Sequence, residues 1–535
     1  MLKGNPGTGN RMKWIASFIF LLHAVFAMLF LNSPYYFFAG IYLAASCFFI
    51  IFNDNDLKFF CVFVKTLPVK AARRFSPKKK IVCRLSRFTW DMNDFCRGWS
   101  ITGRTGSGKT ASAIKRLMHQ VFINSPGWGG VAVDEKGSFH ETLLEIAGNY
   151  NARDRMICLQ VRPDDAGADW RPRAKYNLLS YPGIPWSTYA KLIVDTASSL
   201  GQSGEKGFFK TQAQIHIEKG MELLSILEYK VNLKNVYDIL TDRNTLQQCM
   251  ERIWEELKDR NLQELFKEDI LMKRKYEIFK HFTENYLKQP PEQLGGVTST
   301  IFNYLQFFLN PDIAEVFCAD ENTVDFQDIE KGRIFVVSMP QKYQVERRYI
   351  NTFIKLLFYN HVLRRFDKGE DYRKNANLLV FWADEAQGIV TAADEGFADY
   401  NVVDKIREAR GTVVFATQST TSYYPVLDEK KTDTLLLNLS NQIYFTLADA
   451  KAAKLAADQI GKKSFWKKSY GFSGGRGNVN FQKVEEHWIK EHELMSMKKF
   501  DCIIKHCEKG FIRTHLPPVD SHNKIPEYYY STNSV

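Results

Sequence analysis

At 535 residues the chain has room for two or three separately packed parts. Its nine cysteines are scattered, with no C-x-x-C pair and no His/Cys cluster at zinc spacing, which argues for reduced thiols and against a disulfide-stapled scaffold or a zinc ribbon. The net charge of +12 invites a nucleic-acid partner, but residues 1–100 hold 14 Lys/Arg against four Asp/Glu, so nearly all the excess sits there and any nucleic-acid contact further on must be local.

Two apolar runs come first, Trp14 to Leu31 and Tyr35 to Phe52, broken by Asn32-Ser33-Pro34. Each approaches the roughly 20 residues that cross a bilayer. Trp14, Tyr35 and Tyr36 stand at the ends, where interfacial aromatics belong. A signal peptide explains neither the second run nor the lack of a small-residue cleavage site. Lys/Arg residues flank the pair and are missing from the linking turn, which places both ends in the cytoplasm. Residues 1–57 therefore read as a transmembrane hairpin anchor. Residues 58–97 read as a basic juxtamembrane segment, with Lys78-Lys79-Lys80, Arg73 and Arg74 set against anionic headgroups; contact with DNA is the alternative.

From residue 98 the pattern is strand, loop, helix. Gly103-Arg104-Thr105-Gly106-Ser107-Gly108-Lys109-Thr110 matches G-x-x-x-x-G-K-[ST] without a mismatch. Its glycines let successive N–H groups turn inward toward phosphate oxygens, and the following helix adds its positive end. Lys109 would reach the β- and γ-phosphates and the Thr110 hydroxyl would hold Mg²⁺. Strands at Gly130–Asp134 and Met156–Val161 continue an α/β alternation across 98–185. Residues 186–325 lose the strand pattern and take helical periodicity, as in Ile217, Met221, Leu224 and Leu227, which predicts an all-α domain inserted into the sheet domain.

Strand patterns return over 326–515. Leu378–Ala383 is apolar at every position, as in a strand covered on both faces, and it ends in Asp384-Glu385. Asp384 would hold Mg²⁺ through water, and Glu385 would polarise the attacking water. The strand Thr412–Thr417 ends at Gln418, which either senses the γ-phosphate or merely caps the strand. Arg407, with Arg410 in reserve, is either a finger for a neighbouring subunit's site or a surface arginine. Lys462–Tyr470 interleaves four lysines with three aromatics, which suits nucleic-acid contact or a solvated turn. Residues 516–535 read as a polar tail.

These motifs together resemble the type IV secretion coupling proteins, the membrane-anchored ATPases of bacterial conjugation, and more distantly the FtsK/HerA pumps. The two-helix anchor matches in position. Asp134-Glu135-Lys136-Gly137 resembles the family's D-x-K-G turn, Lys175-Tyr176-Asn177-Leu178-Leu179 its Y-N-P-L element, and Asp384-Glu385, Arg407 and Thr417-Gln418-Ser419 the order of its second half. Leu178 stands where proline is usual. The resemblance implies a RecA-like P-loop NTPase sheet, ATP and Mg²⁺, a homo-hexamer on the bacterial inner membrane, and passage of a relaxase bound to single- or double-stranded DNA into a type IV secretion channel. The alternatives are an FtsK/HerA-type DNA pump and a protein-secretion adaptor that uses ATP as a conformational switch. A kinase or a small-molecule transporter ATPase is a further alternative, and the absence of a Leu-Ser-Gly-Gly-Gln signature argues against the transporter.

Overall fold

Seven parallel strands and an antiparallel edge hairpin make one nine-stranded sheet, in the order β13-β12-β9-β3-β8-β7-β4-β6-β5. In chain order these are β3 (Trp99–Thr102), β4 (Gly129–Asp134), β5 (Met156–Gln160), β6 (Ile334–Ser338), β7 (Leu379–Asp384), β8 (Gly411–Thr417), β9 (Asn441–Tyr444), β12 (Asp501–His506) and β13 (Gly510–His515). The computed structural model describes residues 80–519, apart from 202–206, 259–268, 394–395 and 474–475. The anchor expected over 1–57 lies outside the described residues. Among those described, no helix is long and apolar enough to cross a membrane.

The strands are apolar at successive positions because both faces are covered. Along β7 the side chains alternate between two cores. Phe381 and Ala383 join a cluster with the helices that follow residue 186, and Val380 and Trp382 join one with the P-loop helix. The helices between Trp186 and Phe317 share that first cluster with Val131, Phe335 and Val413 of the sheet, so their apolar faces are buried continuously with it. Helix Gln344–Leu363 has 14 buried residues.

Residues 81–97, expected in the juxtamembrane segment, fold instead against the sheet. β1 (Ile81–Leu85) and β2 (Phe88–Asp91) form an antiparallel hairpin through a turn in which Ser86 has φ 52°. Val82, Leu85 and Trp90 are buried with β3, and Trp90 donates its indole N–H to Asn441 at 2.7 Å. The basic residues Arg84 and Arg87 mask an alternating apolar pattern there.

Lys462–Tyr470, left open between a turn and a nucleic-acid contact, is a strand. β10 (Lys462–Ser473) and β11 (Arg476–His487) pair over twelve register positions as a separate two-stranded ribbon.

Candidate active site

The sheet gathers the predicted site at the C-terminal ends of β3, β4, β7 and β8, where loops leave adjacent parallel strands. The P-loop leaves β3, with Gly103 N–H donating to Thr417 at 3.2 Å and Arg104 N–H to Thr446 at 2.8 Å. Two of its glycines are required by contact. A Cβ on Gly103 would sit 2.6 Å from Phe445 Cβ, and one on Gly108, at φ 119°, would sit 2.6 Å from the Phe500 ring. Arg104, Thr105 and Gly106 form the exposed crest, and Ser107, Gly108 and Lys109 are buried beneath it. The helix begins at Lys109 as a π-helical turn, Lys109–Ile114, and continues over Lys115–Asn124.

Lys109 Nζ donates to the Gly103 carbonyl at 2.6 Å, folding the lysine over its own loop. Burial lowers its pKa, opposed by Glu385 and Asp384. Thr110 Oγ1 donates to Asp384 Oδ2 at 2.6 Å, across 274 residues of chain. Burial raises the Asp384 pKa and the Thr110 hydrogen bond opposes it. Its other oxygen, Oδ1, is buried and has no hydrogen-bond partner among the described residues. An orphaned carboxylate oxygen beside a threonine hydroxyl is a donor set that suits a hard divalent cation. Asp134 lies opposite Asp384 in register and accepts from Gly137 N–H at 2.9 Å and Ser138 N–H at 3.2 Å, tying down the turn after β4.

Glu385 occupies the left-handed region at φ 58°, uncommon for a residue with a side chain. Both its oxygens are held by amides, Oε2 by Gln387 at 2.8 Å and Oε1 by Gln418 at 3.2 Å. Gln418 is thus in the site and linked to Glu385. Lys109, Thr110, Asp384, Glu385 and Gln418 come together.

Arg407 does not join them. It is exposed and lies just before β8, at the N-terminal edge of the sheet. The seven residues of β8 separate that edge from Thr417 by about 20 Å. Arg410 lies at the same edge, donating to the Ala376 carbonyl at 3.0 Å.

The family model described as the TraM recognition site of TraD and TraG matches residues 379–500. Among solved structures, the unbound bacterial conjugative coupling protein TrwB lacking its N-terminal segment superposes with a TM-score of 0.59 at 14% identity, covering 86% of this chain and 93% of that one. The fold is that of the conjugative coupling protein TrwB, and over residues 379–500 the chain matches the TraD/TraG model. The plasmid coupling protein TrwB in complex with ADP and Mg²⁺ superposes with a TM-score of 0.58 at 14% identity, covering 85% of this chain and 92% of that one. Its complex with a non-hydrolysable ATP analogue gives 0.57 at 13%, covering 85% and 92%. No curated protein sequence matches the chain.

Several residues around this site carry no motif. Helix Gln344–Leu363 presents Arg347, Asn351 and Lys355, four residues apart, to the loops that leave β4 and β7. Arg347, buried, donates to the carbonyls of Glu135 and, at 3.0 Å, of Met339. Asn351 donates to the Asp134 carbonyl at 3.2 Å and Lys355 to the Ile389 carbonyl at 2.6 Å. The three stand at i, i+4 and i+8, but Gln344, Glu346, Arg348, Thr352, Asn360 and His361 are polar in the same helix, so their spacing did not single them out. Phe500 was also missed. Its N–H donates to the Ser107 carbonyl at 3.1 Å, its φ is 69°, and Leu516 N–H donates to its carbonyl at 2.9 Å. The start of the tail returns over the P-loop helix, with Val519 N–H on the Ala111 carbonyl at 2.9 Å.

Proposed function

We propose that the chain is a membrane-anchored ATPase that couples ATP hydrolysis to delivery of a relaxase–DNA complex into a type IV secretion channel during conjugation. The observation that carries the catalytic part is the 2.6 Å contact between Thr110 and Asp384, with Glu385 and Gln418 adjoining. The P-loop N–H groups of Gly103 to Thr110 receive the phosphates, and Lys109 exchanges the Gly103 carbonyl for phosphate oxygens. Thr110 and Asp384 are the residues that would hold Mg²⁺, which would supply positive charge against the charge that develops on the phosphates. Glu385, oriented by two amides, positions and polarises the attacking water. Gln418 spans from Glu385 toward the γ-phosphate and relays its loss to β8.

Support for ATP and Mg²⁺ comes from the donor set and from the ligands bound in the TrwB complexes. The two apolar runs over 14–52 and their Lys/Arg flanks support a hairpin anchor in the inner membrane with the ATPase body in the cytoplasm. In a homo-hexamer Arg407, exposed at the edge of the sheet opposite its own P-loop, would be left to serve a neighbouring subunit's phosphates; otherwise it is a surface arginine. The test is ATP turnover by the full-length chain in detergent, with and without single- and double-stranded DNA. Turnover that rises with DNA is expected. No turnover under any condition overturns the enzyme reading, and turnover indifferent to DNA transfers the weight to a protein-substrate adaptor.

A further inference from the structure

The β10–β11 ribbon has two different faces. Register pairs Trp466 with Lys483, Lys468 with Phe481 and Tyr470 with Val479, so these six side chains share one face. That face is open to solvent: Trp466 is 67% exposed, Tyr470 77%, Phe481 58% and Val479 49%. Among the described residues the two strands pair only with each other. The acids of the ribbon, Glu485 and Glu486, stand at its base, where Ser464 donates to Glu485 at 3.3 Å and Lys490 pairs with Glu486 at 3.3 Å. His487 and Lys462 pair there with Asp458. Further out, Lys467, Lys468 and Lys483 have no acidic partner among the described residues, and Lys468 sits 5.3 Å over the Phe481 ring.

Exposed rings this large on one face cost solvation with no return in folding. They make a platform when a planar ligand covers them, and the interleaved lysines ask that ligand to be anionic. The rings step along the ribbon as Trp466, Phe481, Tyr470, one every two residues, or about 7 Å. Stacked bases in a duplex rise about 3.4 Å per strand, so the spacing fits an extended strand with its bases unstacked. An anionic membrane fits less well, because seating these rings among acyl chains would drag Lys468 and Lys483 in with them.

We infer that the exposed face of the β10–β11 ribbon is a single-stranded nucleic-acid site, with Trp466, Phe481 and Tyr470 stacking on bases and Lys468 and Lys483 contacting phosphates. This rests on the DNA-transport reading above and assigns the strand-holding element within it. The ribbon lies outside the hydrophobic cores, so substitutions on it leave the nucleotide site intact.

The test is binding of fluorescent oligothymidylate to the full-length chain, with binding of a fluorescent ATP analogue as a control. Trp466→Ala/Tyr470→Ala/Phe481→Ala should weaken oligothymidylate binding by about a hundredfold or more, with ATP-analogue binding unchanged. Lys468→Ala/Lys483→Ala should flatten the salt dependence by about 1.4 units of slope. Wild-type affinity and salt slope in both variants overturn the ribbon site and leave DNA transport standing. A wild-type chain that binds no DNA overturns both. Variants that lose binding only to phosphatidylserine vesicles, or that lose self-association with DNA affinity intact, assign the face to a membrane or to a second copy and overturn the proposal.

Discussion

Replacing Lys355 by methionine should damage both stability and turnover, for one structural reason. Lys355 and Asp399 form a fully buried ion pair at 2.5 Å. Asp399 also accepts from Tyr359 Oη at 2.5 Å and from Thr391 N–H at 2.7 Å. In Lys355→Met these donors remain, but the carboxylate loses its counter-charge and the Ile389 carbonyl loses its donor. Breaking a buried pair on one side costs about 3–5 kcal/mol, against a total of about 5–15 kcal/mol for a domain. The chain should stay folded with a much lower urea midpoint. Because most of the cost is one uncompensated charge, Lys355→Met/Asp399→Leu should be more stable than the sum of the single losses predicts. Ile389 closes the turn that sets Glu385, with Gly388 N–H on the Glu385 carbonyl at 3.1 Å and Ile389 N–H on that of Ala386 at 3.0 Å. Turnover in Lys355→Met should therefore fall about tenfold or more with ATP affinity nearly kept. Urea unfolding of the three variants with ATPase assays at saturating ATP reads both effects. Strict additivity of the two substitutions, or full turnover in Lys355→Met, would refute the reasoning.

Lys109→Ala should abolish turnover and weaken ATP-analogue binding, whereas Glu385→Gln should keep binding and lose on the order of 10²- to 10⁴-fold in rate, as equilibrium binding and single-turnover assays can separate. Acid should destabilise the fold. Burial lowers His119 to about 4 and His216 to about 3, the latter also repelled by His281 3.0 Å away. The unfolded chain takes up protons first, so this stability is complete above about pH 6.5 and is lost as pH falls toward 4, by up to about 1.4 kcal/mol per unit per histidine. A urea midpoint flat from pH 7 to 5 would contradict that. Arg407→Ala should abolish turnover yet bind ATP, and mixing it with Lys109→Ala should restore part of the activity.

The residues that hold phosphate and metal were legible because their chemistry admits few alternatives. The P-loop glycines answer to close contacts with the Phe445 and Phe500 side chains, and the uniformly apolar run before Asp384-Glu385 has the pattern of a strand covered on both faces. Where patterning was weak, the reading failed. Lys462–Tyr470 did not declare itself as a strand, because an exposed ribbon needs no apolar face to mark its period. In residues 81–97 basic side chains on the outer positions concealed an inward row of Val82, Leu85 and Trp90. Arg347, Asn351 and Lys355 act on carbonyl groups of distant loops, and no local sequence signal names such partners.

The position of Arg407 follows from strand direction alone. Asp384 and Gln418 lie where β7 and β8 end, and Arg407 lies where β8 begins, so every parallel strand of the sheet separates the arginine from its own P-loop. Lengthening or rotating the side chain does not span about 20 Å. If Arg407 acts at a γ-phosphate, that phosphate belongs to another copy, and an isolated subunit should bind ATP and hydrolyse it slowly. In a mixed assembly of Arg407→Ala and Lys109→Ala chains, some interfaces join an intact pocket to an intact arginine. A finger is worth about 10³-fold or more, so even a minority of such interfaces gives turnover well above either variant alone. Mixed assemblies that form, verified by mass, and stay inactive would remove Arg407 from the reaction. Undiminished turnover by Arg407→Ala alone would do the same and leave Arg410, anchored at the same edge, with the same geometric obstacle.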